Sequence, residues 1–258
     1  MTIRQIAKYA DLHGKSVFIS GGGSGIGADL VRAFHTQGAA TFFVDIDRSA
    51  SDALCEELKK ETGSSPDFQV CDVTDLESLA AALDRIADLT GRLDVLVNNA
   101  ANDTRYLSAE VDEANFDASI AVNLKHQFFA ATRAFAHMRR RGSGSIINFG
   151  SVAPRLGIRN LAVYSTCKSA VQGLTRSLAR EFGEFGVRVN AIVPGAIMTE
   201  RQRQLWITEE IEKENQKAQC LPRTLVADDI AQMALFLASD VSWGCTSQNF
   251  IVDAGITG

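Results

Sequence analysis

Long apolar runs are missing from this chain of 258 residues. No stretch offers the ~18 consecutive apolar residues that a membrane-spanning helix needs, and charges interrupt the apolar positions of Met1 to Lys15, so no secretory leader is expected there. The expected location is the cytoplasm. A basic stripe is missing too: 26 Lys and Arg stand against 31 Asp and Glu, for a net charge of -5 with no block of either sign. Such a surface has nothing to neutralise nucleic-acid phosphates or anionic lipid. The expected partner is a small molecule, with no nucleic acid and no membrane. Cysteine is scarce and unpaired in pattern: Cys55, Cys71, Cys167, Cys220 and Cys245 are scattered without a Cys-x-x-Cys, and only four histidines accompany them. Neither a metal site nor a disulfide framework is expected, and the thiols read as reduced and mostly buried. Proline, glycine and serine nowhere cluster into a linker, and no fixed-period repeat is present, so residues 1–258 are expected to form a single domain.

What is present is a rhythm. Short runs rich in β-branched residues, at 16–20, 40–44, 67–71, 93–97, 145–149, 187–193 and 248–252, alternate with stretches of helical length. Most of these runs are apolar on both faces, as strands of a parallel sheet covered by helices are. The pattern predicts an α/β fold: a Rossmann-like, doubly wound parallel sheet of about seven strands, with its ligand crevice beyond the carboxyl ends of the strands. One polar segment, 198–223, breaks the rhythm ahead of a helix predicted from about 227 to 237, and reads as a helical flap over that crevice.

Gly21-Gly22-Gly23-Ser24-Gly25-Ile26-Gly27 follows the first strand and leads into a helix predicted to begin near Gly25. Residues without Cβ let the backbone turn tightly and bring helix N-terminal N–H groups against a pyrophosphate. Asp45 closes the second strand 18 residues beyond Gly27, near the offset at which a carboxylate takes the adenosine ribose hydroxyls. A carboxylate there repels the extra phosphate of NADP, so NAD is the expected cofactor, with Arg48 nearby keeping a mixed preference open. Asp72, in Cys71-Asp72-Val73, is placed either to reach the adenine or to cap the next helix.

Tyr164 and Lys168 stand four apart on a predicted helix, one turn apart on one face. An ammonium ~4 Å from a phenol, at an effective dielectric near 20, is worth up to roughly 4 kcal/mol, which is about three pKa units. The expectation is a phenol acidified towards neutral pH and able to act as general base.

Taken in order, these motifs, with Asn98-Asn99-Ala100-Ala101, Asn123, Gly150-Ser151-Val152, Tyr164-Ser165-Thr166-Cys167-Lys168 and Pro194-Gly195, resemble the short-chain dehydrogenase/reductase family from about His13 to Gly255. The resemblance implies a catalytic set in which Ser151 bonds the substrate oxygen, Tyr164 is the general base, Lys168 lowers its pKa and grips the nicotinamide ribose, and Asn123 holds a water that relays the proton outward. It implies a dinucleotide site built from Gly21, Ser24, Gly25, Ile26, Gly27, Asp45, Ile46, Asp72, Val73, Asn99, Ala100, Tyr164, Lys168, Pro194, Gly195, Ile197 and Thr199. A homotetramer is implied as well, with the helices around Asn123 and Tyr164 between subunits and the C-terminal strand at a second contact. Ser20 and Ala101 depart from the family pattern, which has Thr and Gly there. Serine keeps the hydroxyl, whereas an alanine forced to positive φ would cost of order 1 kcal/mol.

Shorter stretches, Asn98 to Asp103, Val122 to His126, Ile147 to Ser151 and Ala218 to Leu221, resemble the aldose 1-dehydrogenase branch of that family. With Asn102 to Arg105, Pro154, Arg155, residues 199–203 and Trp206 expected around the pocket, a sugar oxidised at C1 is the expected substrate. A 3-oxoacyl reductase using NADPH is the enzymatic alternative, and a non-catalytic cofactor-binding scaffold is the other.

Overall fold

The computed structural model describes residues 7–258; residues 1–6, part of the stretch read above as carrying no leader, lie outside the described residues. Seven parallel strands form one sheet in the order β3-β2-β1-β4-β5-β6-β7: β1 (Ser16–Ser20), β2 (Ala40–Asp45), β3 (Asp67–Val70), β4 (Val95–Asn98), β5 (Gly144–Phe149), β6 (Val187–Pro194) and β7 (Asn249–Val252). The order reverses between β1 and β4, and a ligand crevice opens at that switch point. The doubly wound fold is as expected, with strand boundaries within two residues of those read from the sequence.

Alternation along the strands sorts the core. In β1, Val17 and Ile19 face the layer of α1 (Gly25–Thr36), α2 (Arg48–Thr62) and α10 (Ala227–Ala238), while Phe18 faces α3 (Leu76–Thr90), α5 (His126–Met138) and α7 (Ala162–Gly183). Each fully buried side chain of this size contributes roughly 1.5–3 kcal/mol, so both faces of the sheet are firmly covered. The loops at the strand C-termini are thereby fixed in space.

Acidic caps start three of the helices on that side. Asp47 accepts from Ala50 N at α2, Asp75 from Ser78 N at α3, and Asp112 from Asn115 N at α4 (Glu113–Ile120). No helix among the described residues is long and apolar enough to cross a membrane. The cysteines are free, but only Cys71 and Cys167 are buried; Cys55 and Cys245 are half-buried and Cys220 is exposed, so the expectation of mostly buried thiols is corrected.

The polar segment 198–223 folds into two helices, α8 (Glu200–Leu205) and α9 (Glu209–Ala218). Its neck is closed by a parallel bridge between Ile197 and Leu225 and by Met198 N donating to Leu225 O at 2.8 Å. The excursion therefore leaves and rejoins the fold at one point beside the crevice.

Candidate active site

The glycine turn after β1 requires its glycines. Gly21 has φ +69°, and a Cβ there would lie 2.9 Å from Ala100 Cα; a Cβ on Gly27 would lie 1.7 Å from the Gly21 carbonyl oxygen. The turn is braced from β4, where Asn99 Nδ2 donates to the carbonyls of Ser20 (3.1 Å) and Gly21 (2.8 Å). Asn99 thus spends its amide nitrogen on bracing the loop. Ser20 Oγ accepts the N–H groups of Asn99 and Ala100, both at 3.1 Å, so the hydroxyl does the work expected of it. Ser24 precedes α1 without a side-chain bond to its first turn, leaving those N–H groups to an anion. A pyrophosphate fits this cradle.

Asp45 is locked in place: Oδ2 accepts Gly23 N at 2.8 Å and Oδ1 accepts Asp47 N at 2.9 Å. Ile46 beside it is 72% exposed, an apolar side chain held open at the strand end. Asp72 is occupied locally, accepting from Thr74 N and Oγ1, both at 2.8 Å, while Asp75 caps the following helix. Of the two roles read for Asp72, the helix cap falls to Asp75. Val73 is packed in the core, which leaves only its main chain towards the crevice. Ala101 is absent from the few non-glycine residues with positive φ, which are Asn160, Ser247 and Ala254 among the described residues, so the backbone cost anticipated for it does not arise.

On the other side of the switch point lie the titratable groups. Tyr164 and Lys168 sit on α7, and Ser151 follows β5 with its Oγ accepting Ala153 N at 3.1 Å. The lysine amine donates to Phe149 O at 2.9 Å and lies 5.6 Å from the centroid of the Tyr164 ring. The expectation of a phenol acidified towards neutral pH by this ammonium is corrected by the burial of both groups. Burial pushes Tyr164 up to about 12 against a hydrogen bond from Ser151 that pulls it down, and burial pushes Lys168 down to about 8. The phenol is therefore not acidified by the protein alone: desolvation outweighs the Ser151 hydrogen bond, and the lysine amine is turned towards a carbonyl.

Asn123 lies in a π-helical turn, Ala121–Lys125, between α4 and α5. Such turns break the regular ladder and free a carbonyl. Its fully buried side chain clamps the loop after β4, accepting Asn102 N at 2.9 Å and donating to Asn102 O at 3.0 Å and Ser119 Oγ at 3.2 Å. The side chain is thus committed to Asn102, and only the main-chain carbonyl remains for a proton path. That carbonyl accepts Gln127 Nε2 at 3.1 Å, and the same nitrogen reaches Phe149 O at 3.4 Å, the acceptor of Lys168. Gln127 joins Asn123 to the lysine, a role that no pattern in the sequence betrays.

His126, also unremarked on its own, is fully buried beside this network. Burial, reinforced by the charge of Lys168, holds its pKa at about 3. An unfolded histidine takes up a proton near pH 6.5 that the folded one refuses, so stability is present above that pH and is lost as pH falls below it. Between pH 7 and 5 the loss attributable to His126 is about 2 kcal/mol. H126Q is expected to flatten the fall in urea midpoint over this range relative to the unsubstituted protein; parallel pH profiles would refute the assignment.

The far wall comes from β6 and the flap. Pro194 O accepts Val152 N at 3.1 Å, and a Cβ on Gly195 would meet Asp253 at 2.8 Å, so these two residues pack the ends of β5, β6 and β7 together. Ile197 is buried at the flap's neck. Thr199 caps α8 through Gln202 N and stands against Gly25, with its Cγ2 3.5 Å from where a Cβ would be, which brings the flap to the glycine turn.

Comparison with known proteins agrees with this geometry. A family model described as enoyl-(acyl carrier protein) reductase matches residues 21–257. A probable galactose dehydrogenase of Rhizobium meliloti is 48% identical over 250 residues, covering 97% of this chain and 98% of its own. A D-xylose 1-dehydrogenase of Caulobacter vibrioides is 44% identical over 251 residues, covering 96% and 98%. Among solved structures, a gluconate 5-dehydrogenase of Burkholderia cenocepacia, in complex with NADP and tartrate, superposes with a TM-score of 0.88 at 31% identity, covering 96% of this chain and 98% of its own. The matches span the glycine turn, the π-turn asparagine and the Ser-Tyr-Lys set alike, and the chain belongs to the short-chain dehydrogenase/reductase family, oxidoreductases that act on CH–OH donors with NAD(P).

Proposed function

We propose that the protein is an NAD-dependent aldose 1-dehydrogenase, oxidising the C1 hydroxyl of a sugar hemiacetal to a lactone. The observation that carries this is the crevice mouth, where Asp103, Arg201 and Gln202 are joined by hydrogen bonds beside Trp206. A polar mouth discriminates for hydroxyl-rich ligands, because buried polar groups left unmatched are costly. The names of the galactose and xylose dehydrogenases point the same way. An acyl thioester would need an apolar channel in that place.

In this reading Gly21, Ser24, Gly25, Ile26 and Gly27 hold the pyrophosphate, and Asp45 takes the adenosine ribose hydroxyls, with Ile46 and the main chain at Asp72 and Val73 beside the adenine. Ala100, Pro194, Gly195, Ile197 and Thr199 line the nicotinamide half, with Asn99 bracing the turn. When bound, the oxidised nicotinamide accepts the hydride from C1 and adds a positive charge beside the phenol. Ser151 holds the substrate oxygen, and Tyr164 accepts its proton. Lys168, protonated at neutral pH, keeps the phenolate favourable and passes the proton outward to a water held at the Asn123 carbonyl. The flap 198–223 covers the substrate.

The preference for NAD rests on Asp45, whose charge would face the 2′-phosphate of NADP. A homotetramer is supported by the exposed Phe116, Phe128 and Phe129 on α4 and α5, beside the helix of Tyr164. The cytoplasm, which holds the dinucleotide pool, is the proposed place of work.

The test is nicotinamide reduction, followed by absorbance, with NAD and with NADP over a panel of aldoses, alditols and 3-hydroxyacyl thioesters. Saturable oxidation of an aldose, at higher kcat/KM with NAD than with NADP, is expected. Saturable activity confined to the thioesters would overturn the sugar reading.

A further inference from the structure

The loop after β4 and the flap meet at a built contact. Arg201 Nη2 donates to Asp103 Oδ1 at 3.1 Å and to Asn102 Oδ1 at 3.4 Å, and Gln202 Nε2 donates to Asp103 Oδ2 at 2.7 Å. Two residues further along the loop, the Arg105 guanidinium stacks on Trp206 of the flap, 4.4 Å from the ring centroid. These residues stand next to the chemistry. The negative charge of Asp103 bears on both Tyr164 and Lys168, favouring the protonated form of each, and Asn102 is clamped by Asn123.

The chemistry of the contact is unfinished. A carboxylate offers about four acceptor positions, and Asp103 uses one on each oxygen for the flap. Its side chain keeps 21% of its surface open. Arg201, with five N–H donors in a fork, is half exposed. The Trp206 indole N–H is buried with no acceptor among the described residues. One ring face of this indole is backed by a guanidinium, which leaves the other for an apolar ligand face. Spare acceptors, spare donors and a rigid aromatic plane together suit a vicinal diol: each sugar hydroxyl both donates and accepts, and the C–H face of the ring is apolar. Asp103 and Arg201 neutralise one another, so the contact suits a neutral polyol rather than a sugar acid.

We propose that Asp103, with Arg201, Gln202 and Trp206, forms the subsite for ring hydroxyls of the sugar remote from C1, with Asp103 as the specificity-determining acceptor. The proposal rests on the aldose reading above and adds to it which end of the substrate the loop and flap recognise. Asp103 neither gives nor takes the transferred proton.

The test pairs D103N with a series of monodeoxy aldoses derived from the best substrate of the panel. In the unsubstituted enzyme, removal of the contacted hydroxyl is expected to lower kcat/KM by about tenfold or more. D103N is expected to raise KM for the parent sugar by a similar factor, with kcat within about threefold and NADH binding unchanged. It is also expected to shrink the penalty at that one deoxy position to under about twofold while leaving the other positions penalised as before. Should D103N bind no NADH, D103S carries the same test. A D103N enzyme that loses the same factor on every deoxy sugar as on the parent overturns the subsite and leaves the aldose reading standing. An unsubstituted enzyme inert towards every aldose overturns both.

Discussion

Y164F is expected to lower kcat by about a thousandfold, within the range that general acid–base catalysis contributes, while NADH affinity stays within about threefold. The effects on turnover and on NADH affinity are separable because phenylalanine keeps the ring. The Tyr164 ring lies beneath the lysine amine, whereas its hydroxyl bonds Ser151. Losing that one buried hydrogen bond costs about 1 kcal/mol of stability, too little to unfold a domain with two fully packed core layers. Steady-state rates at saturating NAD and sugar, alongside a fluorescence titration with NADH, decide the matter. Turnover within tenfold of the unsubstituted enzyme would remove Tyr164 from its role. With burial holding the phenol at about 12 in the protein alone, its acidity at working pH has to come from positive charge assembled around it, and Lys168, one helical turn away, is placed to supply part of it.

The legible and illegible parts of this molecule differ in physical kind. Strands at 16–20 and 187–193 could be read because both faces of a parallel sheet are covered, so apolar runs report position directly. Gly21 and Gly27 could be read because a turn pressed against Ala100 and against its own carbonyl excludes any side chain. The direction of the lysine amine could not be read. Spacing places Lys168 one turn from Tyr164, but which acceptor it chooses depends on Phe149 O, at the end of a strand distant in sequence. The same holds for Asn123, whose side chain is claimed by the backbone of Asn102, and for Gln127, an ordinary helix residue until three elements converge on it. Ala101, read as a liability, proved neutral because its backbone never enters the left-handed region.

K168M is expected to do two opposite things: to reduce turnover by at least a hundredfold and to make the protein more stable at neutral pH. The loss follows from removing a buried positive charge that favours the phenolate. The gain follows from the amine's burial, which depresses its pKa from 10.5 to about 8. A folded pKa below the unfolded one means that the folded state resists the charged form. Below pH 8 both states are protonated and folding bears the full penalty, up to about 3 kcal/mol; above about 10.5 both are neutral and the penalty is gone. Methionine occupies similar volume without a charge, and replacing a buried ion by an apolar side chain is often stabilising. Phe149 O is not orphaned by the change, because Gln127 Nε2 still reaches it. The urea midpoint of K168M is therefore expected to exceed that of the unsubstituted protein at pH 7, and the stability difference is expected to narrow by about 1 kcal/mol by pH 9 as the unsubstituted protein sheds its proton. A variant less stable at pH 7, or a difference indifferent to pH, would show that the amine's bond to Phe149 outweighs its desolvation, and that Lys168 holds the fold as well as serving the reaction.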